Sequence, residues 1–157
     1  PLDPRLANIH AQGGPAMIRA AAEAVRAHRA RGGRTELLAV TVLTSLDQEA
    51  LAATGHRDAP ADLALRLARL AKEGGADGVV CSAQEAAAVR EACGEAFRRL
   101  TPGIRPAGGD TQDQARVVTP AQALRNGATW LVVGRPITRA ADPAAAADAI
   151  LAELAEA

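Results

Sequence analysis

Five short apolar runs alternate with Ala-rich segments of helical spacing along 157 residues. Each run is too short for a helix, and each is followed by a stretch that is polar on one side only. Strands joined through a single helix have to lie parallel, because the chain must travel back along the sheet before the next strand begins. The pattern predicts strands at 6–11, 36–44, 77–81, 98–102 and 129–133. The 98–102 run carries two arginines and is the weakest of them. The 129–133 run, TWLVV, is apolar throughout and suits a strand buried on both faces. Helices are expected at 16–30, 60–73 and 144–156, the last behind an Asp142-Pro143 cap. Ser45 is the expected N-cap of a further short helix. Ser82 and Glu85 form a capping-box pattern ahead of a helix reaching Cys93, and Thr119-Pro120 with Gln122 opens another. The fold class is α/β with a parallel sheet, in one domain, 1–157.

Parallel order gathers the segments that follow the strands at a single rim, where α/β folds place their sites. These segments are 12–14, 44–45, 103–114 and 134–138, and they are polar or rich in glycine. The most informative is the last. A strand ends in Gly134-Arg135, which offers close backbone approach and a fixed cation able to take a phosphate with two prongs. Pro136 then ends strand pairing. Five strands are too few to close a β/α barrel of eight. Either the sheet stays open, or these units form the C-terminal part of a larger barrel.

The totals remove several function classes. Lys+Arg and Asp+Glu are both 18, so no electrostatic footprint for a nucleic-acid polymer is present. One Phe, one Trp and no Tyr leave almost no platform for stacking bases. Lys72 is the only lysine, so candidates for a catalytic amine are nearly absent. Cys81 and Cys93 fit no metal or redox spacing and read as buried thiols. No apolar run approaches a membrane span and no secretory leader is visible, which gives the expectation of a cytoplasmic protein.

Five long segments carry a resemblance. NIHAQGGPAM at 8–17, LLAVTVLTSLD at 37–47, DGVVCSAQEAAAVR at 77–90, LTPGIRPAGGDTQDQARVVTPAQAL at 100–124 and GATWLVVGRPITRAADP at 127–143 are similar to orotidine 5′-phosphate decarboxylases, in the family's order and spacing. The resemblance implies a (β/α) barrel of TIM type, of which this chain holds five βα units of the eight. It implies loss of CO2 from orotidine 5′-phosphate to give uridine 5′-phosphate, in pyrimidine biosynthesis, with no metal or organic cofactor. It also implies a homodimer.

Residue by residue, Gly134 and Arg135 resemble the family's phosphate clamp, and Arg105 and Gln114 the pair that reaches the same phosphate. Pro102 resembles the proline beside the pyrimidine. Thr44 resembles the hydroxyl residue that hydrogen-bonds the base, ahead of Ser45. His10 matches the strand motif without a catalytic role. The family's Asp-x-Lys-x-x-Asp motif has no counterpart here, and Lys72 stands in a helix without matching neighbours. No catalytic residue and no metal ligand is therefore assigned; the chain is expected to retain the binding loops and to lack the catalytic Lys and Asp. Two other readings stay open: a non-catalytic phosphate- or nucleotide-binding half-barrel, and a related sugar-phosphate decarboxylase or synthase.

Overall fold

A computed structural model describes residues 2–106 and 116–157. Its five strands are β1 (Leu6–His10), β2 (Glu36–Val40), β3 (Gly78–Val80), β4 (Arg98–Thr101) and β5 (Trp130–Leu131). They pair in chain order, β1-β2-β3-β4-β5, and every pair is parallel. The helices are α1 (Gly14–Arg29), α2 (Gln48–Ala53), α3 (Pro60–Glu73), α4 (Ala86–Cys93), α5 (Pro120–Arg125), α6 (Arg135–Thr138) and α7 (Pro143–Ala155), with a 3-10 turn at Ala11–Gly13. The α/β parallel architecture expected from the alternation is present.

The main core lies between the sheet and α1, α3 and α4. Ile18 and Ala22 of α1, Leu63, Leu67 and Ala71 of α3 and Val89 of α4 pack onto Leu37, Ala39 and Val79. β2 is the most deeply set strand, with Leu37 to Val40 all buried. A smaller cluster of Ala83, Ile104, Ala123 and Ala128 supports the β4–β5 side. Gly78 is required by the tightness of the sheet: a Cβ there would lie 2.4 Å from both Cβ and O of Arg98.

Several boundaries depart from expectation: the strand read as 36–44 ends at Val40, and three others differ in kind. The first is β5, which pairs only at Trp130–Leu131, both half-buried, while Val132 is 43% exposed. Among the described residues it pairs only with β4, and this exposure means that the reading of 129–133 as buried on both faces does not hold. Residues 135–138, expected as a loop, form the single turn of α6. The third is the helix expected to start at Ser45, which is capped instead by Asp47. Its side chain accepts from the Ala50 amide at 2.8 Å. A carboxylate is also favoured there by the positive end of the helix. The expected caps at Thr119 and Asp142 form as read, accepting from the amides of Gln122 and Ala145.

Charge is used structurally at the amino ends of the strands. Arg29 donates to both Asp77 carboxylate oxygens, at 3.1 and 2.6 Å, and to the Thr35 carbonyl at 2.7 Å. Asp77 also accepts the Leu37 amide at 2.7 Å, so one pair ties the end of α1 to β2 and β3. Arg99 is 2% exposed and donates to the carbonyls of Gly127 and Phe97, each at 2.6 Å, and of Glu95 at 3.2 Å. These bonds fasten the α4–β4 turn to the residues that lead into β5. Replacing Arg99 by Met should strand those buried acceptors. We expect a loss of about 3 kcal/mol and a fall in melting temperature of roughly 6–12 °C, whereas Glu95→Ala, at an exposed side chain, should change little.

The segment before β1 is held by Asp3, whose carboxylate meets His28 Nε2 at 2.8 Å and the Arg34 amide at 3.1 Å. The His28 hydrogen bond, followed by the Arg34 amide, holds the Asp3 carboxyl down to about 2. A depressed carboxylate stabilises the fold above its unfolded pKa and loses that contribution as pH falls through its folded value. Asp3→Asn should therefore melt below the wild type at neutral pH, with the gap closing between about pH 4 and pH 2. A gap independent of pH in thermal melts would contradict this.

Candidate functional site

The connections that follow β2, β4 and β5 meet at the carboxyl rim of the sheet. There they line an open cavity of ≈ 160 Å³ formed by Thr44, Pro102, Gly103, Arg105, Val132, Gly134 and Arg135. Five of the six residues singled out from the sequence therefore share one cavity. Gln114, the sixth, lies outside the described residues, as does most of the 103–114 segment.

Thr44 and Arg105 are buried at 6% and 7% exposure, and Pro102 and Arg135 are half-buried. Arg105 is steadied from its own backbone. Its amide donates to the Val118 carbonyl at 3.0 Å and its guanidinium to the Ile104 carbonyl at 2.8 Å. Gly134 stands immediately before the single turn of α6, where Pro136 has no N–H and the Ile137 and Thr138 amides donate to the Gly134 carbonyl at 2.9 and 3.0 Å. A Cβ at this position would meet nothing within 4 Å, so the missing side chain leaves open space on the cavity wall. Two guanidinium groups line the cavity and none of the lining residues is acidic. That combination favours an anion with several acceptor oxygens.

A larger cavity of ≈ 450 Å³ lies between β5, α5 and α7, lined by Leu124, Trp130, Leu131, Ile150, Leu154 and their neighbours. It carries no charged side chain. His10 is exposed at the end of β1. Lys72 lies in the last turn of α3, which runs back toward the amino ends of the strands and away from the rim. Cys81 and Cys93 are buried free thiols, as expected. Burial, with the Glu85 carboxylate adding to it, pushes the Cys81 thiol up to about 12, which leaves no thiolate at neutral pH. No group of three or more His, Cys, Asp or Glu suited to a metal occurs among the described residues. No described helix is long and apolar enough to cross a membrane.

Glu85 and Arg116 received no functional reading from the sequence. Glu85 was legible as half of a capping box, and its carboxylate does accept the Ser82 amide at 3.0 Å. The other half differs: the Ser82 hydroxyl accepts the Gln84 amide at 3.2 Å, and α4 begins only at Ala86. The second Glu85 oxygen pairs with Arg116, whose guanidinium also reaches the Val42 and Leu43 carbonyls at 3.3 and 3.1 Å. Burial pushes the Glu85 carboxyl up, with Arg116 opposing. The only sequence signal for Arg116 was its place two residues beyond Gln114.

A model of the family described as "Orotidine 5'-phosphate decarboxylase / HUMPS family" matches residues 3–150. The orotidine 5′-phosphate decarboxylase of Moorella thermoacetica is 56% identical over 150 residues, which are 94% of this chain and 60% of that protein. That of Gluconobacter oxydans is 52% identical over 158 residues, 100% of this chain and 67% of the relative. The crystal structure of orotidine 5′-phosphate decarboxylase from Lactobacillus acidophilus superposes with a TM-score of 0.78 at 41% identity, covering 95% of this chain and 62% of that one. The chain thus spans about three fifths to two thirds of the length of these relatives. With the family match running over nearly all of its residues, this chain belongs to the orotidine 5′-phosphate decarboxylase / HUMPS family.

Proposed function

We propose that these five βα units form the phosphate- and base-binding end of an orotidine 5′-phosphate decarboxylase. The observation that carries the reading is the single rim cavity that collects Thr44, Pro102, Arg105, Gly134 and Arg135. The names of the relatives support the same substrate over the sugar phosphates considered above. Arg105, Arg135 and the backbone at Gly134 take the phosphate, with Gln114 as a further donor. Thr44 hydrogen-bonds the pyrimidine and Pro102 lies against it.

Decarboxylation breaks the bond between the ring carbon and the carboxylate. The electron pair stays on the ring carbon, which has no adjacent electron sink, until a proton replaces CO2. Fixed charges in a site closed to water must stabilise that pair. Phosphate binding, remote from the reacting carbon, contributes orientation and closure. No residue of this chain is assigned the proton-donating role. A homodimer and a cytoplasmic setting belong to the same reading, and light scattering of the purified protein tests the first.

Titration with uridine 5′-phosphate tests the binding reading. Arg135→Ala should weaken binding by at least about 30-fold, roughly 2 kcal/mol, as expected when a charged partner of a phosphate is removed. An unchanged affinity would remove the assignment. Gly134→Ala places a methyl group on the open cavity wall. It should lower uridine 5′-phosphate affinity about tenfold while the melting temperature moves by less than about 4 °C.

A further inference from the structure

We propose that Arg116 is the positioning residue of this cavity, setting the Thr44 wall against the Arg105 wall. The proposal rests on the nucleotide-binding reading above and adds a residue outside the cavity lining. One guanidinium joins three rim segments. Its Nη1 pairs with Glu85, in the turn after β3, and its Nη2 donates to the Val42 and Leu43 carbonyls at 3.3 and 3.1 Å, after β2. Its own backbone lies two residues from Val118, which is locked to the segment after β4: the Arg105 amide donates to the Val118 carbonyl at 3.0 Å and the Val118 amide to the Gly103 carbonyl at 3.3 Å.

Thr44 follows Leu43 directly. A bridge of hydrogen bonds therefore runs from the Thr44 segment through Arg116 to the residue pair that fixes Arg105. Glu85 anchors that bridge from beneath, because its other carboxylate oxygen is held by the Ser82 amide at 3.0 Å. The Glu85 side chain is 3% exposed and that of Arg116 11%, so the pair is shielded from water and geometrically stiff. Stability alone is a poor reason for the arrangement. Burying an ion pair rarely repays its desolvation. Here the Arg116 Nε is also buried without a partner among the described residues. Fixed placement of two cavity walls gives such a pair a purpose.

Two ligands separate positioning from plain stabilisation. Inorganic phosphate needs only the Arg105, Gly134 and Arg135 end, whereas uridine 5′-phosphate must reach Thr44 at the same time. In titrations of the 157-residue chain well below its melting temperature, Arg116→Ala should weaken uridine 5′-phosphate about tenfold or more. Inorganic phosphate affinity should stay within about twofold of wild type. Arg116→Lys, which keeps the charge but loses the fork, should fall between. Should Arg116→Ala fail to fold, the pair Arg116→Gln with Glu85→Gln leaves no buried charge and carries the same comparison. Equal losses for both ligands, or an unchanged uridine 5′-phosphate affinity, would overturn the positioning role. A wild-type chain that binds neither ligand would overturn the nucleotide-binding reading first, and this inference with it.

Discussion

Parallel strand pairing is the constraint on which the rest of this structure depends. Each connection has to cross back over the sheet before the next strand starts, so every strand opens at the same rim. Thr44, Arg105 and Arg135 are far apart in the chain. They meet because the segments after β2, β4 and β5 have nowhere else to emerge. The cavity is a consequence of topology before it is a consequence of side chains.

The two rims use charge differently, and a net charge of zero conceals the difference. At the amino ends of the strands, arginines are absorbed by structure. Arg29 is forked onto Asp77, Arg98 reaches Glu36 at 3.1 Å and lies over Trp130, and Arg99 is spent on main-chain carbonyls. At the carboxyl ends, Arg105 and Arg135 face a cavity with no acidic lining residue. Arg116 sits between these regimes. Its charge is neutralised by Glu85, yet its bonds reach the backbone beside Thr44. The same residue type thus serves stability at one rim and, on the reading proposed here, recognition at the other.

Misjudgements of the sequence share a cause: pattern reading assigns a residue its average environment. Two arginines made 98–102 look like a poor strand, because a charged side chain is ordinarily solvated. Arg99 escapes that average only because the α4–β4 turn and Gly127 present carbonyls to it. An apolar stretch made 129–133 look fully enclosed, but cover over a strand's two faces comes from whatever packs on them, and Trp130 and Leu131 are only half-buried. Ser45 and Asp47 are both good cap residues, and it is Asp47 whose side chain takes the first-turn amide of Ala50. The Ser82–Glu85 signal was local and correct in part. Its buried partner, 31 residues away, was invisible to any local pattern.

Periodicity and motif by themselves determined the α/β class, the parallel order and the helix starts behind Thr119 and Asp142, and they singled out five residues that the fold brings to one rim cavity. Those features follow from backbone periodicity, capping chemistry and long segments of matching sequence, all of which act over short stretches of chain. Only the tertiary structure decided which arginines are consumed by the fold and which line the cavity, and that a buried Glu85–Arg116 pair joins the loops around it. Those outcomes depend on burial and on contacts between residues tens of positions apart.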